Sequence, residues 1–464
     1  MVLARSSHVD TSDPIDFEAF AATLSGRLLR PGDAEYDVAR LTQNRAYNRY
    51  PAAIVRAADA SDVARAISLA REAGLDLAVR SGGHSVAGHS TADDALMLDL
   101  SGMKGLHVDP VRRLVWAQPG LTAGEVTNAL AEHGLAVPFG DTSSVGIAGL
   151  TLGGGIGYLV RKYGLAIDNL VSAELVTADG RLLIASERQN PELFWAIRGG
   201  GGNFGVITRF VYRAQPVSTV FGGAIFLPGT RDVIASIMPL AEAAPEELSV
   251  IAFVMHAPPA PFIPADRVGE LSVMLTFVYA GDQADGEVAI APFRALAEPI
   301  ADLAGPMPYP GIYAFTEEGA KPEAFIVRSA FLDRLDERVV DTIIKYMSRA
   351  TTPGAMIQLR GLGGAMARVP SAATAFAHRA ARVLFAIITV YEGPAEPHVA
   401  WTEELFDVVR PAARGVYSNF LGNEGAERLR EAYPAATYER LAALKHRYDP
   451  ANLFRLNQNI APAS

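Results

Sequence analysis

Three segments of high glycine density constrain this chain most: Ser81–Ser85 (SGGHS), Gly140–Gly157 (GDTSSVGIAGLTLGGGIG) and Gly199–Gly205 (GGGGNFG). Glycine permits positive φ and lets backbone come close to other backbone or to a ligand. The N–H groups that such loops leave open suit a pyrophosphate. One such loop is a turn. Three in one half of a chain point to a large anionic ligand laid along backbone amides. Gly200, Gly202 and Gly205 match G-x-G-x-x-G, but a helical segment precedes them and a β-branched run follows. The dinucleotide fingerprint needs the reverse order, with an acidic residue roughly 20 positions on. The phosphate-loop pattern G-x-x-x-x-G-K-[ST] is absent from the sequence.

The flanking pattern places the first segment. PAAIVRAA (51–58) reads as a strand and LDLAVR (75–80) as a second. Between them Ser61 can cap a helix whose apolar positions Val63, Ile67 and Ala70 share one face, with Gly74 as its stop. Strand, helix and strand in so short a span predict a parallel βαβ unit. SGGHS then leaves the C-terminal end of the second strand, the edge where open α/β sheets bind ligands. His84 lies in that loop. The residues alone leave three roles for it: a hydrogen-bonded loop histidine, a zinc ligand with His89 and Asp93 or Asp94, or a group that reacts with the bound ligand.

Further along, a short helix is predicted within 16–30, and LHVDPVRRLVWAQPG (106–120) predicts a hairpin around Asp109-Pro110. Thr122 and Glu125 form a capping-box pattern opening a helix that ends at Gly134. AELVTADGRLLIAS (173–186) predicts a hairpin at Asp179-Gly180. Asn190 reads as a helix cap with Pro191 at the first helical position, and GVITRFVYRA (205–214) alternates as a strand. After Gln215-Pro216 the texture changes to β-rich runs (ELSVIAFVMHA, ELSVMLTFVYAGD, AMIQLRGLGG, ARVLFAIITVYEG), with helical stretches near 331–349 and 398–410. They predict a second domain on an antiparallel sheet. The last residues read as helical with a tail that packs back on the N-terminal half.

Composition narrows the chemistry. The sequence has no cysteine, which excludes disulfides, thiol nucleophiles, iron–sulfur clusters and cysteine zinc sites. Its net charge of −10 argues against nucleic acid as a partner. No apolar run approaches the roughly 20 residues of a membrane span, and the first residues lack a leader pattern. A cytoplasmic location and no membrane association are the expectation. The 464 residues correspond to about three domain units.

VRSGGHSVAGHSTADDALMLDLSGM, GDTSSVGIAGLTLGGGIGYLVRKYGLAIDNLVSAELVTADG, NPELFWAIRGGGGNFGVIT and YDPANLFRLNQNI resemble FAD-linked oxidases of the vanillyl-alcohol oxidase superfamily. The nearest branch is the berberine-bridge-enzyme-like oxidoreductases, including bacterial 6-hydroxynicotine oxidases and antibiotic-pathway oxidases. The resemblance spans nearly the whole chain and is specific outside 217–415. It implies an α+β fold: a PCMH-type FAD-binding domain over 1–215, in subdomains of about 1–105 and 106–215. A substrate domain over 216–415, an antiparallel sheet flanked by helices, is inserted, and residues 416–464 return to the FAD domain.

The resemblance also implies site residues. His84 would bond covalently to the 8α carbon of FAD. Arg80, Ser81, Gly82, Gly83 and Ser85 would contact the cofactor around it. Gly140, Thr142, Ser144, Gly146, Gly149, Gly153, Gly154, Gly155 and Gly157 would do so from the second glycine segment. Asn203, Gly205, Val206, Asn419 and Asn457 complete the set. Many relatives carry a second flavin link from a cysteine where this chain has Thr142, so a single link is expected. Many end the substrate side in Y-x-N-Y with the second tyrosine as base. Here the residues are Tyr417-Ser418-Asn419-Phe420, and Phe420 cannot take a proton. Tyr417, Gln358, Arg360 and Tyr279 are the remaining catalytic candidates. Gln358 and Arg360 share a strand face by period two, and an arginine there would stabilise an anionic reduced flavin or bind a carboxylate. The implied reaction is hydride transfer from a small alcohol, amine, phenol or sugar to flavin N5, with O2 reduced to H2O2. A dehydrogenase using another acceptor, a tailoring enzyme of secondary metabolism and a non-catalytic flavoprotein are the alternatives.

Overall fold

The computed structural model describes residues 15–317 and 321–463. The first part of the N-terminal stretch read for a leader lies outside them. The first sheet has the order Arg27–Leu29, Ala53–Arg56, Leu96–Asp99, Leu77–Arg80. Leu96–Asp99 runs parallel to both of its neighbours. The predicted βαβ strands are therefore parallel but not adjacent, because Leu96–Asp99 slots between them. The helix Ala60–Ala73 joins them, burying Val63, Ala66, Ile67 and Ala70 and stopping at Gly74 in the left-handed region. Its cap is Asp59, not Ser61. Asp59 is extended, and its carboxylate accepts from the Ser61 and Asp62 N–H groups at 2.8 and 3.0 Å, satisfying donors that a helix start leaves open.

The helix predicted within 16–30 shrinks to Phe17–Ala21. Asp62 explains the loss: its buried carboxylate accepts from Ser25, Gly26 and Ala58 N–H at 2.9, 2.8 and 3.0 Å. That pulls the chain into the strand Arg27–Leu29, antiparallel to Ala53–Arg56.

A second, antiparallel sheet has the order Leu106–Asp109, Leu114–Ala117, Val206–Arg213, Leu170–Val176, Leu182–Ser186. Both predicted hairpins are present. The capping box forms, with Thr122 N–H on Glu125 Oε2 at 2.8 Å and Glu125 N–H on Thr122 Oγ1 at 3.2 Å. Asn190 is the N-cap residue before Pro191, as predicted, and its carbonyl accepts from Phe194 N–H at 2.9 Å, but its side chain makes no cap bond. It sits at φ +49°, and its amide donates to the Ile184 carbonyl at 2.8 Å.

The third sheet is antiparallel, in the order Ala301–Asp302, Thr219–Pro228, Leu271–Tyr279, Leu248–His256, Ala355–Gly361, Val383–Tyr391, Ala324–Leu332, with Gly305–Pro308 also paired to Thr219–Pro228. Side chains alternate between its faces. Leu275, Phe277, Leu359 and Phe385 pack under Ile237, Ile343 and Leu405 of the helices Arg231–Ala243, Glu337–Met347 and Glu396–Val409. Ile251, Phe253 and Val278 turn the other way, onto Ala136, Tyr158 and Leu159 of the glycine-rich half. Two helices on this sheet, Arg231–Ala243 and Gln283–Arg294, escaped the sequence reading because each carries an internal proline, Pro239 or Pro292. Packing of their apolar faces outweighs the lost hydrogen bond.

The end of the chain packs back on the first half. Lys445, fully buried, donates to the carbonyls of Asn203 and Phe454 and to Asp449 at 2.9, 2.8 and 2.7 Å. Asp449 in turn accepts from Leu453 and Phe454 N–H. A buried ammonium is tolerable only with its charge paired and its donors used, so this clamp fixes the tail against Gly199–Gly205.

Candidate active site

The three glycine segments converge. Gly82 and Gly146 meet backbone to backbone: a Cβ on Gly82 would stand 2.3 Å from Gly146 N, and one on Gly146 would stand 2.3 Å from Gly82 N. Only glycine permits that approach. The third segment hooks onto the second, since Gly199 and Gly201 N–H both donate to the Leu152 carbonyl at 2.9 and 3.0 Å. The tail joins through Asn457, whose amide donates to Gly202 O at 3.3 Å. Asn419 donates to Leu150 O at 3.1 Å and occupies the space a side chain at Gly153 would need. Beside this junction Gly149 is exposed and open, and the buried atoms Ser144 Oγ and Asn457 Oδ1 have no protein partner. Such atoms are costly unless a ligand or water completes them. The junction therefore fits a polar nucleotide cofactor.

His84 stands at its edge. Burial lowers its pKa to about 4, and a hydrogen bond to the Ser144 backbone acts in the opposite direction. A bond that favours the protonated ring makes the ring its donor. With a pKa of about 4 the ring is uncharged at neutral pH, and a neutral imidazole keeps a lone pair on one nitrogen. His89 is also held at about 4, by burial and then by the nearby Arg49 charge. Among the described residues no three His, Asp or Glu side chains group as a metal site.

The sheet face opposite is positioned by contacts at its two ends. At one end Asn44 donates to Val86 O in the His84 loop (3.4 Å) and to Phe325 O (3.0 Å). At the other, Arg360 donates to Ile156 O at 3.2 Å and pairs with Asp141 at 2.8 Å, and its guanidinium lies 5.0 Å from the Phe420 ring centre. Arg360 Nε also donates to Gln358 Oε1 at 2.8 Å. Between these ends the strand register sets Met274, Phe253, Gln358 and Ala386 in one row and Met255, Met356 and Ile388 in the next. This face spans from the His84 loop to the Tyr417–Phe420 segment.

Several predicted residues have other duties. Tyr279 packs on the helix-covered face, against Gly286 and with Leu275 and Phe277, away from the junction. Its parity along the strand is that of the helix face, which corrects the catalytic reading. Arg80 is spent on the Ala39 and Leu41 carbonyls and faces Asp99 at 3.8 Å. Ser81 Oγ donates to Pro119 O at 2.6 Å, and Ser85 Oγ accepts from His89 N–H at 3.2 Å. Asn203 bonds Gly200 O, Gln458 O and Ile460 N–H. Gly205 and Val206 begin a strand paired to Val176. These residues brace the loops, and Ser81 Oγ does so against Gly146 itself.

Tyr417 Oη accepts from Gly155 N–H at 3.0 Å and from the Asn419 amide at 2.9 Å, and burial raises its pKa. It holds the glycine turn and is a poor base at neutral pH. Gly140, Thr142, Gly154 and Gly157 lie on the same segment. Its neighbour Asp141, partner of Arg360, was not anticipated, nor were Tyr158, Tyr309 and Tyr313, all raised above the ordinary tyrosine value by burial first. Nothing local in the sequence marks Asp141. Its partner lies on a strand more than two hundred residues away.

Residues 51–186 match the FAD binding domain family model and 416–461 match the model for berberine and berberine-like proteins. The chain is 32% identical to (R)-6-hydroxynicotine oxidase of Paenarthrobacter nicotinovorans, over 95% of this chain and 97% of that one. It is 29% identical to xylooligosaccharide oxidase of Thermothelomyces thermophilus, over 89% and 88%. The crystal structure of 6-hydroxy-D-nicotine oxidase from Arthrobacter nicotinovorans superposes with a TM-score of 0.85 at 28% identity, covering 95% of this chain and 98% of that one.

Proposed function

The chain belongs to the berberine-like FAD-linked oxidoreductases, and on that premise we propose that it is an oxidase. In this reading His84 alone carries FAD covalently, a small organic molecule is the substrate and O2 is the acceptor. Residues 1–215 with 416–464 form the cofactor half and 216–415 the substrate half. The observation that carries the reading is the place of His84: a half-buried imidazole, its pKa lowered to about 4 by burial, in a loop locked against the second glycine segment. Bound FAD would supply the hydride-accepting and O2-reducing chemistry.

The protein's own part is to hold and orient. Ser144 and Asn457 would offer their unpaired oxygens to the cofactor, Tyr417 and Asn419 fix the glycine turn, and the sheet face would present the substrate. Thr142 leaves the second link of many relatives without a nucleophilic sulfur. With Phe420 in place of a tyrosine and Tyr417 committed as an acceptor, the site offers no strong phenolic base. A substrate that releases hydride without prior deprotonation suits it.

Protein from a riboflavin-replete host should be yellow, and flavin fluorescence should stay with the acid-denatured chain. H84A should release that fluorescence to the supernatant. Flavin that leaves the wild-type chain on acid denaturation would refute the covalent link. Colourless protein would refute the whole reading.

A further inference from the structure

Resting on that flavin-linked reading, we propose that the substrate is an uncharged aromatic molecule held on a methionine-rich face, and neither a sugar nor an anion. Four of the ten methionines of the chain, Met255, Met274, Met307 and Met356, are half-buried on the side of the third sheet turned toward the glycine segments. Phe253, Phe315, Tyr309 and Tyr313 pack with them, and Ile388 lies beside Met356 in register. Thioethers fill irregular space, adapt to ligand shape and attract aromatic rings at their edges. From Met356 to Arg360 the strand runs four residues, about 13 Å at the usual rise, so the apolar row lies between the His84 loop and the Phe420 end.

Charge on this face is self-cancelling. Arg360 and Asp141 pair at 2.8 Å with side chains only 5% and 12% exposed. A carboxylate or phosphate entering beside them would leave an unpaired buried negative charge or displace Asp141, and either is disfavoured. The structure thus corrects the carboxylate-binding role that Arg360 suggested in the sequence.

Polar side chains of the face are also largely committed. Gln358 Oε1 accepts from Arg360, Thr276 accepts from Tyr158 Oη at 3.0 Å, Ser272 donates to Met255 O at 3.0 Å, and Ser329 donates to Phe420 O at 3.2 Å. The buried hydroxyls of Tyr309 and Ser249 have no protein partner, fewer groups than a saccharide's hydroxyls would need. A saccharide brings many hydroxyls, each costly to bury without a partner. An aromatic ring brings apolar area and little else.

The test uses the flavin-containing protein and three probes: 4-methoxybenzyl alcohol, 4-methoxybenzoate and xylobiose. Binding is read anaerobically as perturbation of the flavin spectrum and, independently, as a shift in thermal unfolding. The neutral aromatic should bind at least about tenfold tighter than its carboxylate and than the sugar. M274Q and M356Q, at half-buried positions that tolerate a polar side chain, should each weaken it roughly three- to tenfold, the value of part of a buried apolar contact, and leave any xylobiose signal unchanged. Yellow protein that binds xylobiose or the carboxylate as well as the alcohol would overturn this proposal and leave the flavin-linked oxidase reading standing. Colourless protein would overturn both.

Discussion

Replacing Asp141 by asparagine isolates the pair that ties the glycine-rich half to the third sheet. Asn keeps the shape of Asp, so D141N opens no cavity and removes only charge. The Arg360 guanidinium, with its side chain 5% exposed, would then lack its partner at 2.8 Å. It would retain Gln358 Oε1, Ile156 O and the Phe420 ring. Breaking a buried pair by removing one member costs about 3–5 kcal/mol. The surviving acceptors place this case near the lower end, at about 3 kcal/mol, more than a hundredfold in the folding equilibrium. R360M alone strands the carboxylate and should cost about as much. The double variant D141N/R360M buries no charge and should recover to within about 1 kcal/mol of wild type; with each single variant costing about 3 kcal/mol, the double-mutant cycle gives a coupling of about 5 kcal/mol. Urea denaturation followed by circular dichroism reads all four proteins. A D141N midpoint indistinguishable from wild type, or a double variant no more stable than D141N, would refute the argument that the pair is electrostatically coupled across the two halves.

Two further outcomes follow from single positions. His89 titrates at about 4 in the fold, against 6.5 ordinarily. Above pH 6.5 neither state is protonated and nothing is lost. As pH falls from 6.5 toward 4 the unfolded chain takes a proton the folded chain refuses, and stability drops by up to about 2 kcal/mol after allowance for partial exposure. H89N should flatten that part of the stability–pH curve, and equal slopes for both proteins between pH 6.5 and 4.5 would count against it. At Gly146 an added Cβ would lie 2.3 Å from both Gly82 N and Ser81 Oγ, and the Gly82 backbone cannot move aside as a side chain can. G146A should leave flavin content at about a tenth of wild type or less, measured against G305A, whose Cβ meets nothing within 4 Å.

The sequence alone carried the local decisions. Glycine density around His84 marked where two backbone segments meet, because no other residue permits such an approach. The Asp109-Pro110 and Asp179-Gly180 turns, the Thr122–Glu125 capping box and the period-two alternation of Gln358 with Arg360 depend on residues a few positions apart. They were legible for that reason. What failed depended on distant partners. Asp62 draws Ser25 and Gly26 out of a helix, helix packing overrides Pro239 and Pro292, and Leu96–Asp99 inserts between strands that look adjacent. The site divides in the same way. His84, Tyr417 and Asn419 belong to short motifs, whereas the Asp141–Arg360 pair and the methionine face arise only when the third sheet folds over the glycine segments. Tyr279 reads like a catalytic tyrosine at a strand end, and only the register, which gives its side chain the parity of Leu275 and Phe277, turns it toward the helices. Local propensity is written in neighbouring residues; charge pairing and the choice of sheet face are decided by contacts that exist only in the assembled fold.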